Sequence, residues 1–214
     1  PNFAYDHCVR RVKPEEAARL DLSRWEVAVN GAEPVRPATL DRFCEAFAPA
    51  GFRRRAFAPG YGLAEATLKV TAARRAEGPA TNTTGGRTLV ACGAAGDRST
   101  VAIVGAASSE ELPEGETGEI WVAGPGVAAG YWRRPEESAA VFEARTRDGR
   151  GPFLRTGDLG FTSGGQLYVA GRLKDLIIIR GQNYYPQDIE ATVEQSGARI
   201  RPGAGAAFSV ERDG

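Results

Sequence analysis

Gly171 to Glu190 reads GRLKDLIIIRGQNYYPQDIE, and this stretch decides how the chain is divided. Charged residues at Arg172, Lys174 and Asp175 lead into Leu176 to Ile179, an apolar run short enough to be a buried strand. Pro186 then opens a segment with acidic residues in its first turns, which predicts a helix over Pro186 to Gln195. Ala207 to Val210 reads as a further strand. Residues 173–214 therefore form the beginning of a small α+β unit. Charged residues before an apolar strand are usually a solvated loop, but at such a boundary Arg172, Lys174 and Asp175 could form a hinge, a few loop positions that absorb a large backbone rotation.

Upstream, the spacing is that of a β-rich unit. Leu68 to Thr71, Thr88 to Cys92, Thr100 to Val104, Gly118 to Ala123, Phe153 to Thr156 and Gln166 to Ala170 are β-prone runs bounded by Gly, Pro, Asp or Ser. A mostly β subdomain over 68–170 follows, interrupted by one helix near Pro135 to Phe142. Ala72 to Gly86 (AARRAEGPATNTTGG) carries no periodicity and is expected to be a mobile loop. The first third alternates instead: a helix from Pro14 to Leu20, a strand from Trp25 to Val29, and an amphipathic helix from Ala38 to Phe47 with Leu40, Phe43, Cys44 and Phe47 on one face. The fold class is α/β plus β.

Composition narrows the chemistry. The 214 residues carry 27 Lys plus Arg against 27 Asp plus Glu, which argues against a nucleic-acid or anionic-membrane binder. With a single histidine, His7, a multi-histidine zinc site is excluded. Three cysteines without C-x-x-C spacing suit a reducing cytoplasm and are expected to be mostly buried thiols. No apolar run approaches a membrane span, and the first residues do not form a signal peptide.

Four motifs could carry chemistry. Asp158, between Gly157 and Gly160 in FLRTGDLG, is either a turn residue or a carboxylate that accepts bonds from two ribose hydroxyls. Glu65 in YGLAEAT is either an exposed turn residue or a hard oxygen ligand for phosphate-borne Mg²⁺, with Tyr61 able to cover a purine. Gly124 to Gly130 has the spacing G-x-G-x-x-x-G, one residue too long for a dinucleotide fingerprint, and reads as a glycine turn. Arg172 and Lys174 belong to the boundary described above.

Taken in order, PNFAYD (Pro1 to Asp6), NGAEPVR (Asn30 to Arg36), YGLAEAT, GEIWVAGPGVAAGYW (Gly118 to Trp132), RTGDLG (Arg155 to Gly160) and GRLKDLIIIRGQNYYPQDIE resemble the adenylate-forming (ANL) superfamily, and most closely its fatty acyl-AMP ligases. The resemblance implies that residues 1–172 are part of a large N-terminal AMP-binding domain and that 173–214 begin the mobile C-terminal one. It implies that Asn30, Gly31, Ala32 and Glu33 line the adenine pocket, with Tyr61, Gly62 and Leu63 against the base. Glu65 would hold Mg²⁺, Asp158 would bind the ribose, Arg172 would contact ribose or phosphate, and Lys174 would be the hinge. Phe3 and Tyr5 would border the acyl pocket. The implied reaction is ATP-dependent activation of a fatty acid to acyl-AMP, with release of pyrophosphate and transfer to an acyl carrier protein. An acyl-CoA or aryl-CoA ligase and a non-catalytic ligase-like binding domain are the alternatives. The family's phosphate loop is expected before Pro1 and its adenylation lysine after Gly214, so the segment alone is expected to be inactive. The family's insertion is expected within 72–88, which looks short for it.

Overall fold

The computed structural model describes residues 1–84, 86–197, 200 and 203–210. The first third contains α1 (Asn2–Arg11), α2 (Pro14–Ala17), β1 (Ala28–Asn30) and α3 (Pro37–Phe47). Next come β2 (Phe57–Tyr61), β3 (Thr71–Ala72), a hairpin of β4 (Thr81–Thr84) and β5 (Arg87–Val90), and the short β6 (Ala94–Ala95). Then follow β7 (Thr100–Val104), β8 (Gly118–Ala123), α4 (Pro135–Phe142), β9 (Leu154–Ser163) and β10 (Gln166–Arg172). A 3₁₀ turn at Leu173–Asp175 leads to β11 (Ile177–Ile179), β12 (Gln182–Tyr184) and α5 (Pro186–Gln195).

The first layer is an α/β unit whose sheet has the order β1-β2-β3-β6, with β1 and β2 parallel. Its core is aromatic. Leu40, Phe43 and Phe47 lie buried on one face of α3, as the i, i+3, i+7 spacing requires. Tyr5 meets Phe43 and Phe57 edge-on, with ring centroids 5.0 and 5.2 Å apart. Such pairs add to the burial that already holds α1 and α3 against the sheet.

The second layer is the antiparallel sheet β10-β9-β8-β7. Gly118 to Val122 of β8 are all buried, because both faces of this strand are covered. Ile120 and Val122 pack with Ile103, Leu154, Leu167 and Phe142 of α4, whereas Trp121 packs with Ala102, Val104 and Phe153.

Several expectations are corrected. Two elements have no expected counterpart: Asn2–Arg11 is a helix that has only weak apolar periodicity, and β2 (FAPGY) is a strand despite its Pro and Gly. The expected strand at Leu68 shifts to β3, since Thr67 and Leu68 take left-handed φ angles of 52° and 75°. The supposed loop at 72–86 contains β4, paired with β5 from Thr81↔Val90 to Thr84↔Arg87. In the apolar run only Ile177 is buried; Ile178 and Ile179 are 64% and 53% exposed. Ala207 to Val210 is not a strand. Of the cysteines, Cys92 is buried but Cys8 is exposed and Cys44 lies between.

Candidate nucleotide site

The parallel strands β1 and β2 end side by side, Asn30 opposite Pro59. Ligands of open α/β sheets bind outside such carboxyl ends, where loops diverge. Here the diverging segments are Gly31–Glu33 and Gly62–Ala66. Gly62 has a steric reason to be glycine: a Cβ there would lie 1.5 Å from the Leu68 carbonyl oxygen. The turn closed by that return carries Glu65.

Two carboxylates stand at these loops, Asp158 reaching them from the second layer and Glu65 belonging to Gly62–Ala66 itself. The Tyr61 hydroxyl donates to Asp158 Oδ2 at 2.7 Å, across 97 positions of sequence. Arg172 Nε donates to Asp158 Oδ1 at 3.0 Å. The latter contact follows from register, because Arg172 lies directly opposite Asp158 in the β10–β9 ladder. Asp158 is 13% exposed at its side chain and Arg172 53%, so the pair opens to solvent on the arginine side. Burial, and then the Asp158 charge, push the Tyr61 phenol well above its ordinary range. It stays protonated, a donor. Arg172 is raised by its hydrogen bond to Asp158 and by the carboxylate's charge. The carboxylate keeps lone pairs beyond the two that are used, so it can accept vicinal hydroxyls.

Glu65 is held by the glycine-rich turn. Tyr131 Oη donates to Glu65 Oε1 at 2.9 Å, and the Ala128 amide donates to the Glu65 carbonyl at 2.8 Å. Thr67 Oγ1 donates to the Gly126 carbonyl, fastening the same two loops. Tyr131 is itself fixed, its amide on Ser138 Oγ at 2.8 Å and its ring edge-on to Phe142 at 5.1 Å. Desolvation, then the neighbouring Glu65, raises this phenol too. Glu65 Oε2 has no hydrogen bond among the described residues, and no group of three or more His, Cys, Asp or Glu that could hold a metal ion occurs there. A single carboxylate oxygen suits Mg²⁺, which keeps most of its shell as water and phosphate oxygens.

The other expected residues are placed differently. Asn30 is fully buried and its amide donates to Asn2 Oδ1 at 3.2 Å, while Glu33 Oε1 accepts the Asn2 amide at 2.6 Å. Both therefore tie down the start of α1, and only Gly31 and Ala32 remain at the strand end. Phe3 and Tyr5 separate: Phe3 is 69% exposed, whereas Tyr5 is a core residue whose hydroxyl donates to the Val29 carbonyl at 2.7 Å. Lys174 is exposed in the 3₁₀ turn after β10. Two cavities of about 350 and 320 Å³ lie elsewhere, one beside Arg87 and Tyr185, the other beside Lys174 and Glu190. Reasoning from sequence missed Asn2, Tyr131 and the ion pair of Glu119 with Arg155. Tyr131 carried one signal, its place at the end of a glycine turn.

A family model described as AMP-binding enzyme matches residues 2–132. The chain belongs to the AMP-binding enzyme family. Among members of this AMP-binding family, it is 46% identical over 235 aligned positions to the medium-chain-fatty-acid–acyl-carrier-protein ligase JamA of Moorena producens, covering all of this chain and 40% of that one. A solved structure from a study of fatty acyl-adenylate ligases of E. coli and L. pneumophila superposes with a TM-score of 0.86 at 37% identity, over 97% of this chain and 40% of the other. Another, a fatty acyl-adenylate ligase from L. pneumophila in complex with acyl adenylate and pyrophosphate, gives 0.77 at 42% identity, over 99% and 40%. The chain thus spans about 40% of the length of these AMP-binding relatives. The fold is that of the adenylate-forming enzymes, mixed α/β with several sheets.

Proposed function

We propose that this chain is a segment of a fatty acyl-AMP ligase that carries most of its nucleotide-binding surface. The observation that carries the reading is the junction at Asp158, where a carboxylate from the second layer is held between Tyr61 and Arg172 at the carboxyl ends of two parallel strands. In this reading Asp158 accepts the ribose hydroxyls, Tyr61 and the Gly31–Ala32 and Gly62–Leu63 backbone flank the adenine, and Arg172 neutralises charge at the open side. Glu65, one of whose oxygens Tyr131 leaves free, would hold Mg²⁺, and the metal would supply charge neutralisation at the phosphates.

The reaction is attack of a fatty-acid carboxylate oxygen on the α-phosphorus of ATP. The new acyl–phosphate bond forms as the α–β bridging bond breaks and pyrophosphate leaves. Positioning and charge stabilisation dominate such a step, so the scarcity of histidine is compatible with it. Phe3, rather than the core residue Tyr5, offers an apolar wall to the acyl chain. Lys174 is the hinge between residues 1–172 and the unit that begins at 173, and the acyl group passes to an acyl carrier protein.

The test uses the complete protein with ATP, Mg²⁺ and a fatty acid, plus either CoA or holo carrier protein. Acyl-adenylate followed by acyl-carrier product is the expected result. Efficient acyl-CoA formation would assign it to the CoA ligases, and absence of any adenylate would make it a ligase-like binding domain.

A further inference from the structure

We propose that Glu119 is the positioning residue that aims Asp158 at the nucleotide, acting through a bulge in β9. The inference rests on the reading of Asp158 as a ribose ligand.

Pairing between β8 and β9 slips at one place. Glu119 faces Leu159 and Trp121 faces Arg155, so Ile120 alone stands against three residues, Thr156, Gly157 and Asp158. Bulges of this kind re-aim side chains and are common beside functional sites. Here the bulge turns on Gly157, whose φ of 70° is one that an L side chain rarely adopts.

Such a bulge leaves ladder groups unpaired, and Glu119 supplies a partner. Its side chain is 2% exposed. Glu119 Oε2 accepts Arg155 Nη2 at 2.8 Å and Nε at 3.1 Å, while Oε1 accepts the Gly157 amide at 3.2 Å. Arg155 also lies over the Trp121 ring, 5.7 Å from its centroid. One buried carboxylate thus joins the residue before the bulge to its left-handed glycine. Thr156 completes the frame: its hydroxyl donates to the Ile120 carbonyl at 2.7 Å and accepts the Asp158 amide at 3.1 Å. Glu119 makes no contact with Tyr61, Arg172 or the Asp158 carboxylate in the hydrogen-bond network. A buried carboxylate is costly without full pairing, and its removal would strand the arginine. Its position behind the one residue assigned to the ribose gives that cost a function.

The test compares ATP with 2′-deoxy- and 3′-deoxy-ATP in pyrophosphate exchange by the complete protein, for wild type, Asp158→Asn, Glu119→Gln and Arg155→Lys. Wild type should prefer ATP, and Asp158→Asn should lose that preference. Glu119→Gln keeps the side-chain shape but loses the charge. It should raise KM for ATP roughly tenfold or more, in line with loss of charge-assisted bonds, leave KM for the fatty acid unchanged, and lose the deoxy discrimination as Asp158→Asn does. Arg155→Lys keeps the charge without the fork and should lose part of it, which provides a second reading if Glu119→Gln does not fold. The double variant Glu119→Gln/Asp158→Asn should be no worse than Asp158→Asn alone. Retention of wild-type discrimination by a folded Glu119→Gln or by Arg155→Lys, while Asp158→Asn loses it, would overturn the proposal. If Asp158→Asn itself discriminates like wild type, the ribose reading has failed instead, and the proposal with it.

Discussion

Asp158 shows how much can depend on one side chain. Its two oxygens hold a phenol and a guanidinium in place, and its remaining lone pairs are what a ribose would use. Charge-assisted bonds contribute about 1.5–3 kcal/mol each, so Asp158→Ala should lower kcat/KM for ATP by roughly 100-fold or more in pyrophosphate exchange. Near-normal exchange would remove Asp158 from the site. Tyr131 makes a smaller and more specific demand. Tyr131→Phe deletes one neutral-donor bond to Glu65 but keeps the ring on Phe142. Because the acceptor is a carboxylate, that bond is worth at least about 1.5 kcal/mol, and the half-saturating Mg²⁺ concentration should rise roughly tenfold or more; an unchanged Mg²⁺ titration would show that Tyr131 does not orient the ligand. Two further residues contribute to the alkaline limit of the fold. Burial pushes the Cys92 thiol from 9.0 up to about 12 and the Tyr5 phenol from 10.0 up to about 12. Below pH 9 both groups are neutral folded or unfolded, and their contribution is fully present. Between pH 9 and 12 the unfolded chain releases those protons first, so stability falls as pH rises. Urea midpoints measured from pH 8 to 11 should decline from about pH 9, less steeply in Cys92→Ala; an equal slope in that variant would exclude Cys92 as a source.

At the scale of elements, α3 is the clearest case of sequence dictating structure. Leu40 is fully buried on the predicted face, and Leu40→Ala should cost about 2–5 kcal/mol through lost contacts and a cavity. A thermal or urea unfolding curve displaced by less than about 1 kcal/mol would mean that the aromatic layer closes over the gap. Elements with such signals were legible: β7, β8, α4 and α5 have the bounds that apolar runs and N-terminal prolines indicate. Others were not, each for a physical reason. β2 contains Pro59 and Gly60, which read as turn residues, yet it is a three-residue parallel pairing with β1 that its tertiary place enforces. β4 is built from Thr and Asn, with polar side chains and no alternation to detect, whereas its partner β5 carries Leu89 and the buried Val90 and overlaps the expected strand Thr88 to Cys92. β11 misled in the other direction, since apolar residues in a two-stranded sheet have no second layer to cover them. The site followed the same division. Asp158 and Glu65 lie in short motifs and could be found there, but what holds them, Glu119, Arg155 and Tyr131, is specified by strand register and loop contact across dozens of residues.

For the molecule as a whole, the weakest connection is the one between the sheets and the last segment. Among the described residues α5 buries no side chain and β11 only Ile177. What fastens them is polar, and it converges on Arg87 of β5. Its guanidinium forms an ion pair with Asp188 at 2.6 Å, covers the Tyr185 ring at 3.9 Å and donates to the Ala170 carbonyl at 3.2 Å, beside the cavity of about 350 Å³. Arg36 with Glu194, at 3.7 Å, adds a partly exposed pair of small worth. A segment held by so few apolar contacts should open far more often than the sheets do. Trypsin under native conditions should therefore cut at Lys174 or Arg180, both exposed, before it cuts within β7 to β10. Arg87→Ala removes an ion pair, a ring contact and a carbonyl bond together. A loss of one or two kcal/mol changes the open population by about 5–30-fold, and cleavage at those two sites should accelerate by that factor while the melting of the sheets stays within a degree or two. Equal cleavage rates in wild type and Arg87→Ala would show that the segment is anchored elsewhere; a matching fall in the melting temperature would show that Arg87 supports the sheets rather than the junction.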